Sequence, residues 1–220
     1  MKQTHFGHLP GFLICILMLG FSCSGCITFY PARKVDDGSS SLTSTDSQRI
    51  APFNGAHINH RQTYQTPNDI RFELITKHEV DAVLSSRKPT LLFIWASWCG
   101  ASQEALKKVL YAQDSLINHS VNLLIVAQNF NLPYMAKILF SDGAEVATYI
   151  IDPSVYGTDE VAKQAKFGAA ICSSCRVPFE GAVPRMLLFN SQGKLALDQP
   201  GIKFNCAQIN QVLAHDSMLR

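Results

Sequence analysis

The sequence lacks an excess of either charge. Its 220 residues carry 19 Lys and Arg against 17 Asp and Glu, a formal net charge of +2. Domains that bind nucleic acids usually carry a basic patch, and this balance gives no sign of one. With 47% hydrophobic residues, the composition also differs from that of a disordered chain. We therefore expect a folded domain that has no nucleic-acid partner.

Cysteine is too scarce for a small scaffold built on disulfides. Seven cysteines are present, of which three lie within the first 26 residues. The other four, Cys99, Cys172, Cys175 and Cys206, lie in the body of the chain. This distribution directs attention to processing of the N-terminus and to redox chemistry.

The N-terminal apolar segment is too short to span a membrane. It covers residues 9–21, whereas a membrane-spanning helix needs about 20 apolar residues. It follows Lys2 and precedes small residues, which is typical of a secretory signal. Ser24-Gly25-Cys26 resembles a bacterial lipobox, so we expect a signal peptide over residues 1–26 with lipidation at Cys26. Cys23 fits less well as the lipid site, and an ordinary signal peptide or an uncleaved anchor is the alternative.

This signal predicts an extracytoplasmic protein of the cell envelope, in a compartment where disulfides persist. Because the net charge is small, attachment to the membrane would come from the lipid anchor. Residues 27–69 lack periodicity and include a polar Ser/Thr-rich stretch, so we expect a flexible tether. His57 and His60 lie in this range, but two histidines without a third ligand do not predict a metal site.

Residues 70–220 alternate between strand-like and helix-like segments. The predicted strands are 70–75, 90–96, 121–127 and 146–151, followed by a hairpin of 185–189 with 195–197. The predicted helices are 77–86, 99–117, 132–140, 159–167 (ended by Gly168) and 206–215. This order predicts an α/β domain in which helices flank a mixed central sheet.

Cys99 lies where a buried strand passes into a helix, within Trp95-Ala96-Ser97-Trp98-Cys99-Gly100-Ala101-Ser102. Unpaired N–H groups and the positive end of the helix dipole favour a thiolate at such a position. A thiolate is the nucleophilic form of cysteine. We therefore predict that Cys99 is reactive, that Trp98 shields it and contacts partners, and that Trp95 lies in the core.

The sequence resembles the thioredoxin family at two motifs. Residues 90–102 are similar to its active-site strand, its Trp-Cys-Gly motif and the start of its active-site helix, and residues 183–194 are similar to its cis-proline segment. The resemblance implies a thioredoxin-like fold in which Pro184 is cis and faces Cys99. Residues 149–153 and 165–168 resemble the extra strand and helix of redoxins, the exported branch of the family.

Three positions depart from the family pattern. Ser102 occupies the place of the second active-site cysteine, and a hydroxyl cannot resolve a mixed disulfide. Phe93 replaces the buried acid of thioredoxin, and Ala101 replaces the proline of the motif. The resemblance therefore implies exchange through a single nucleophile, which would need a thiol from elsewhere for its release.

Residues 169–183 are longer than the corresponding connection of thioredoxin. Their Cys172 and Cys175 are either a structural disulfide or a redox pair that resolves the intermediate on Cys99 in place of Ser102. A zinc site would need Cys206 and a further ligand, and an oxidising compartment disfavours it. The position of Cys206 does not distinguish a bridge from an unpaired thiol.

We expect a protein that exchanges thiols and disulfides with substrate proteins and uses no cofactor or metal. The catalytic set would be Cys99, Ser102, Pro184 and Trp98. The alternative is a thioredoxin-like lipoprotein that binds a partner in the cell envelope without catalysis. A peroxidase role is less favoured, because peroxiredoxins place their nucleophile in a different local motif.

Overall fold

The computed structural model describes residues 44–173, 175, 183–201 and 206–217. The predicted signal peptide, the predicted lipid site Cys26 and the first part of the predicted tether lie outside the described residues. The described helices are α1 (Ser44–Ser47), α2 (Lys77–Leu84), α3 (Gly100–Tyr111), α4 (Gln113–Asn118), α5 (Leu132–Ser141), α6 (Pro153–Tyr156), α7 (Glu160–Ile171) and α8 (Cys206–Ser217). Short 3-10 helices cover Gly55–His57 and Pro67–Asp69.

The described strands form one mixed sheet. They are β1 (Ile50–Ala51), β2 (Phe72–Ile75), β3 (Thr90–Trp95), β4 (Asn122–Ala127), β5 (Thr148–Ile151), β6 (Arg185–Phe189) and β7 (Leu195–Pro200). In the order β1-β2-β5-β4-β3-β6-β7, the first five strands run parallel, β6 is antiparallel to β3, and β7 is antiparallel to β6. The parallel strands are joined through helices, as parallel pairing requires.

The two faces of the sheet carry separate apolar clusters, because side chains alternate along a strand. Leu91, Phe93 and Trp95 of β3 point to one face, where they pack with residues of α3, α5 and α8. Leu92 and Ile94 point to the other face, which α2, α6 and α7 cover. The prediction of a layered α/β domain in which helices flank a mixed central sheet is confirmed.

Most predicted helices agree with the structure to within two residues at each end, but one is divided and one is longer than predicted. The helix expected over residues 99–117 is divided at Ala112, whose N–H is shared between the carbonyls of Lys108 and Val109 at 3.1 Å each. Such a shared bond tightens the turn at a helix end. The other helix continues past Gly168 to Ile171, because Gly168 is buried and its carbonyl accepts the N–H of Cys172 at 2.9 Å.

An edge strand lies within the range that was expected to be a tether. Ile50 and Ala51 pair with Phe72 and Glu73 of β2. The buried carboxylate of Glu73 then accepts the N–H of Asn54 at 2.7 Å and contacts Nδ1 of His57. Main-chain pairing and polar contacts hold this segment against β2. Because neither needs a run of alternating apolar residues, the sequence gives no periodic signal that would predict a strand here.

No helix among the described residues is long and apolar enough to cross a membrane.

Candidate active site

Cys99 is the N-cap residue of α3 and has an extended backbone (φ −98°, ψ 110°). Its carbonyl accepts the N–H of Gln103 at 3.1 Å, while its side chain makes no capping hydrogen bond. The first turn of α3 contains no acidic residue that would offset the positive end of the helix dipole. The thiol is free and partly exposed. A thiolate at this position would therefore lie in a favourable electrostatic field.

The cis-proline segment lies directly beside this thiol. The Val183–Pro184 peptide bond is cis, as the resemblance implied. Sγ of Cys99 contacts the carbonyl oxygen of Val183 at 3.8 Å, across 84 residues of sequence. Pro184 is buried, and its carbonyl accepts the N–H of Gly201 at 2.8 Å. The sheet thus brings together the two motifs that carry the resemblance.

A buried ion pair follows the cis-proline. Arg185, the first residue of β6, is fully buried, and its Nε and one terminal nitrogen donate to the two carboxylate oxygens of Asp198 at 2.9 and 2.8 Å. Asp198 lies on β7, the neighbouring strand. This paired geometry satisfies a guanidinium that would otherwise be costly to bury. It also ties the strand that begins after Pro184 to the edge of the sheet.

The segment before Cys99 is held by polar side chains that sequence analysis did not identify. Asn129, which follows β4, accepts the N–H of Ser97 at 3.0 Å and donates to Oγ of Ser97 at 2.7 Å. Gln103 donates from its amide to the carbonyl of Ser97. Both Ser97 and Asn129 are buried. These contacts fix the main chain immediately before the thiol.

Ser102 is fully buried, and its Oγ has no hydrogen-bond partner among the described residues. It therefore makes no hydrogen bond to Cys99. Phe93, at the position of the thioredoxin acid, packs in the apolar cluster on the α3 side of the sheet. No carboxylate is present at position 93 to handle a proton, and no thiol is present at position 102 to resolve a mixed disulfide.

The two tryptophans of the motif occupy opposite environments. Trp95 is buried in the core, as predicted. Trp98 is 52% exposed, and its Nε1 donates to Oε2 of Glu160 at 3.1 Å. Glu160 is the first residue of α7, so this helix contacts the residue that precedes the thiol. A contact surface for partners at Trp98 stays a prediction.

Cys172 and Cys175 form a disulfide with a Cα–Cα distance of 5.4 Å. Cys172 caps the C-terminal end of α7 and is buried in the cluster that contains Phe167 and Phe189. Residues 174 and 176–182 of the insertion and the side chain of Cys206 lie outside the described residues. The pair is thus present in its oxidised form while Cys99 is a free thiol.

The two histidines of the N-terminal segment have separate partners. His57 contacts Glu73, whereas Nδ1 of His60 lies 3.1 Å from the carbonyl oxygen of Arg61. Among the residues that the structure describes, no group of three or more His, Cys, Asp or Glu side chains is arranged to hold a metal ion.

Lys163 of α7 is a buried titratable residue that sequence analysis did not identify. It has no exposed surface, and its Nζ lies 3.2 Å from the centroid of the Phe130 ring. Burial lowers the pKa of Lys163 to about 7, although Glu160 and Asp159 act in the opposite direction. A signal was available, because Lys163 precedes the buried Phe167 by four residues and therefore shares its helix face.

No protein-family model matches the sequence, and comparison with curated proteins gives no significant match. Among solved structures, the chain is similar to a thiol:disulfide interchange protein of the thioredoxin family from Chlorobium tepidum, with 13% identity, 62% of this chain and 83% of that chain covered, and a TM-score of 0.45. StoA from Bacillus subtilis has 16% identity, with 56% of this chain and 81% of that chain covered, and a TM-score of 0.39. A thiol:disulfide interchange protein from Bacteroides sp. has 10% identity and a TM-score of 0.41, and the match covers 58% of this chain and 72% of that chain.

Proposed function

We propose that this protein is an extracytoplasmic thiol–disulfide exchange protein that acts through the single nucleophile Cys99. One observation carries the proposal. A free, partly exposed sulfur lies at the N-terminus of α3, 3.8 Å from the carbonyl oxygen that precedes a cis-proline. The helix terminus favours the thiolate, and the adjacent segment offers main-chain groups to an extended peptide. The substrates would be proteins that carry accessible disulfides or thiols.

In the proposed reaction, the Cys99 thiolate attacks one sulfur of a substrate disulfide. The new bond joins Cys99 to the substrate, and the second substrate sulfur leaves as a thiolate that takes up a proton. Release then requires another thiol to attack the mixed disulfide and restore the Cys99 thiolate. Ser102 cannot do this, and the Cys172–Cys175 disulfide holds no thiol in its oxidised form. We therefore assign release to an external thiol.

The N-terminal segment supports the location that we propose. A signal peptide that ends at a lipidated Cys26 would place the domain on the outer side of a membrane, attached through acyl chains. The predicted tether that follows Cys26 would then separate the domain from the membrane surface.

The proposal is tested by trapping mixed disulfides with the full-length protein. Proteins released by thiol treatment would be counted for wild type and for Cys99→Ser, with Cys172→Ser/Cys175→Ser as the matched control that keeps the nucleophile. We expect wild type and the control to retain substrates and Cys99→Ser to retain at least about tenfold less, because only the Cys99 sulfur can hold them covalently. Equal retention by wild type and Cys99→Ser would reject exchange at Cys99.

The same experiment separates the alternative, a partner-binding lipoprotein without catalysis. The half-exposed indole of Trp98 is the observation that favours it, since an aromatic side chain can contact a partner without any thiol chemistry. Non-covalent binding predicts that Cys99→Ser retains as many partners as wild type. It also predicts that these partners elute from the protein without any thiol treatment. Finally, it predicts that the thiol of Cys99 alkylates no faster than that of an ordinary exposed cysteine.

A further inference from the structure

Lys163 is buried under conditions that ordinarily disfavour a lysine. Its side chain is 0% exposed, and its Nζ has no hydrogen-bond partner among the described residues. Nζ lies over the face of the Phe130 ring, 3.2 Å from its centroid. A cation–π contact offsets only part of the free energy that is lost when an ammonium leaves water. A buried group of this kind calls for a physical explanation.

Lys163 lies on the same helix as Glu160, the residue that accepts the indole N–H of Trp98. Glu160 precedes Lys163 by three residues, so both side chains lie on the same face of α7. The Glu160 carboxylate accepts the indole N–H of Trp98 at 3.1 Å, and its main-chain carbonyl accepts the side-chain amide of Gln128 at 3.3 Å. Lys163 therefore acts electrostatically on the carboxylate that holds Trp98.

Lys163 also contacts Phe130, the neighbour in sequence of the residue that holds Ser97. Phe130, whose ring lies under Nζ, directly follows Asn129 in the chain. Asn129 makes two hydrogen bonds to Ser97, at 3.0 and 2.7 Å. Ser97 and Trp98 are the two residues before Cys99. Lys163 thus contacts the residue that follows Asn129 and lies three residues after Glu160 on α7.

We propose that Lys163 and Glu160 are positioning residues, in which the charge of Lys163 fixes the Glu160 carboxylate and thereby holds the indole of Trp98 beside Cys99. This role serves the proposed exchange reaction and rests on it. The contact between Trp98 and Glu160 is nevertheless measurable without any substrate.

The sign of the pH dependence follows from the charges around Lys163. Below pH 7 the ammonium attracts the Glu160 carboxylate, and the bond to Trp98 is held. As the pH rises through the lysine pKa of about 7, the charge is lost and the carboxylate turns more freely towards water. The carboxylates of Glu160 and Asp159 are the charges in the described residues that shift this pKa, both upwards. α6 has no charged side chain, and no charged group of α2, which packs against α7, is a cause of this shift.

Tryptophan fluorescence of the full-length protein tests this proposal. The chain has two tryptophans, and a Trp98→Phe variant supplies the contribution of the buried Trp95 for subtraction. Between about pH 5 and pH 9, we expect the Trp98 emission of wild type to change with a midpoint near pH 7. Lys166→Met, which changes another lysine of the same helix, is the matched control and should keep this transition.

Two substitutions of Lys163 should fix the emission at opposite limits. Lys163→Arg stays charged at every pH and should hold the low-pH emission. Lys163→Met is never charged and should hold the high-pH emission, and Glu160→Gln should also abolish the transition. A flat profile in wild type, or a transition that persists in both Lys163 variants, would overturn the proposal.

Failure here is distinguishable from failure of the proposed function. If mixed disulfides form at Cys99 but the Trp98 emission does not depend on Lys163, the exchange function is supported and the positioning role is rejected. If the Trp98 transition depends on Lys163 but Cys99 traps no substrate, the positioning role stands and exchange falls.

Discussion

Ser102 shows how one buried atom limits the chemistry of a site. Its hydroxyl lies one helical turn after Cys99, is fully buried, and has no partner among the described residues. In thioredoxin-like proteins with two active-site cysteines, this position supplies the second sulfur. A hydroxyl there cannot attack a mixed disulfide on Cys99.

Ser102→Cys should restore that route. We expect the introduced thiol to form a disulfide with Cys99, and the variant to accumulate at least about tenfold fewer mixed disulfides than wild type, because the new thiol attacks them from within the molecule. Mass spectrometry of peptides after mild oxidation measures the bond, and Ser102→Ala is the control that removes the hydroxyl without adding sulfur. Unchanged trapping by Ser102→Cys would mean that a sulfur at position 102 does not reach the sulfur of Cys99.

Asn129 acts at the same scale by satisfying both polar groups of Ser97. Asn129→Ala would leave a buried N–H and a buried hydroxyl without these partners, at about 1–3 kcal/mol for each unpaired group. We expect a lower free energy of unfolding and slower alkylation of Cys99 near pH 7, because a thiol that is no longer held at the start of α3 loses the helix-terminus field. Denaturant unfolding and alkylation rates would show this. Asn131→Ala, which removes only an exposed helix cap, should leave the alkylation profile unchanged.

At the scale of the element, α7 joins two features of the site. Its first residue, Glu160, holds Trp98, and its C-terminal cap, Cys172, belongs to the disulfide. Between them, Lys163 and Phe167 lie on the buried face. Because Lys163 has a lower pKa in the folded chain than in the unfolded chain, this helix makes stability depend on pH.

The stability of a protein falls with rising pH where a surface lysine has an ion-pair partner, because that lysine has a raised pKa. Lys163 has a lowered pKa, so its effect on stability has the opposite sign. Between pH 7 and about pH 10.5 the unfolded chain binds a proton at Lys163 that the folded chain does not, so stability rises with pH. We expect Lys163→Met to raise the melting temperature most below about pH 7 and progressively less from pH 7 towards pH 10. Thermal unfolding at several pH values measures this, with Lys166→Met as control. A constant difference across the range would contradict it.

At the scale of the whole molecule, the Cys172–Cys175 disulfide lies within the apolar cluster under α2, α6 and α7. In the chain-entropy description, closing a loop of about four residues stabilises the fold by about 2 kcal/mol. We expect Cys172→Ser/Cys175→Ser to lower the melting temperature by about 5 °C. The alkylation rate of Cys99 should stay within about twofold of wild type, because the pair makes no bond to that thiol. If trapped substrates are no longer released in the double variant, the pair instead resolves the intermediate on Cys99.

Much of the fold was predictable from local patterns. The continuous apolar runs at residues 90–96 and 121–127 correspond to β3 and β4, whose side chains are buried on both faces. The placement of Cys99 at the start of α3 follows equally from sequence, because a buried strand followed by a helical pattern leaves few other positions for it. The edge strand β1 escaped prediction, since two residues that pair through their main chain carry no periodic signal.

The site depends on contacts that sequence patterns do not contain. The bond from Ser97 to Asn129 spans 32 residues, that from Trp98 to Glu160 spans 62, and the contact of Cys99 with Val183 spans 84. Hydrophobic periodicity shows which face of an element is buried. It does not show which polar side chains from separate elements meet.

The sequence by itself determined the class of fold and the residue that carries the proposed chemistry, because strand, helix and motif signals are local in the chain. Only the tertiary structure decided the surroundings of that residue. It placed Lys163 over Phe130, Glu160 on Trp98, and the sulfur of Cys99 beside Val183. These contacts arise from how the helices pack on the sheet, and packing depends on the shapes of many side chains together.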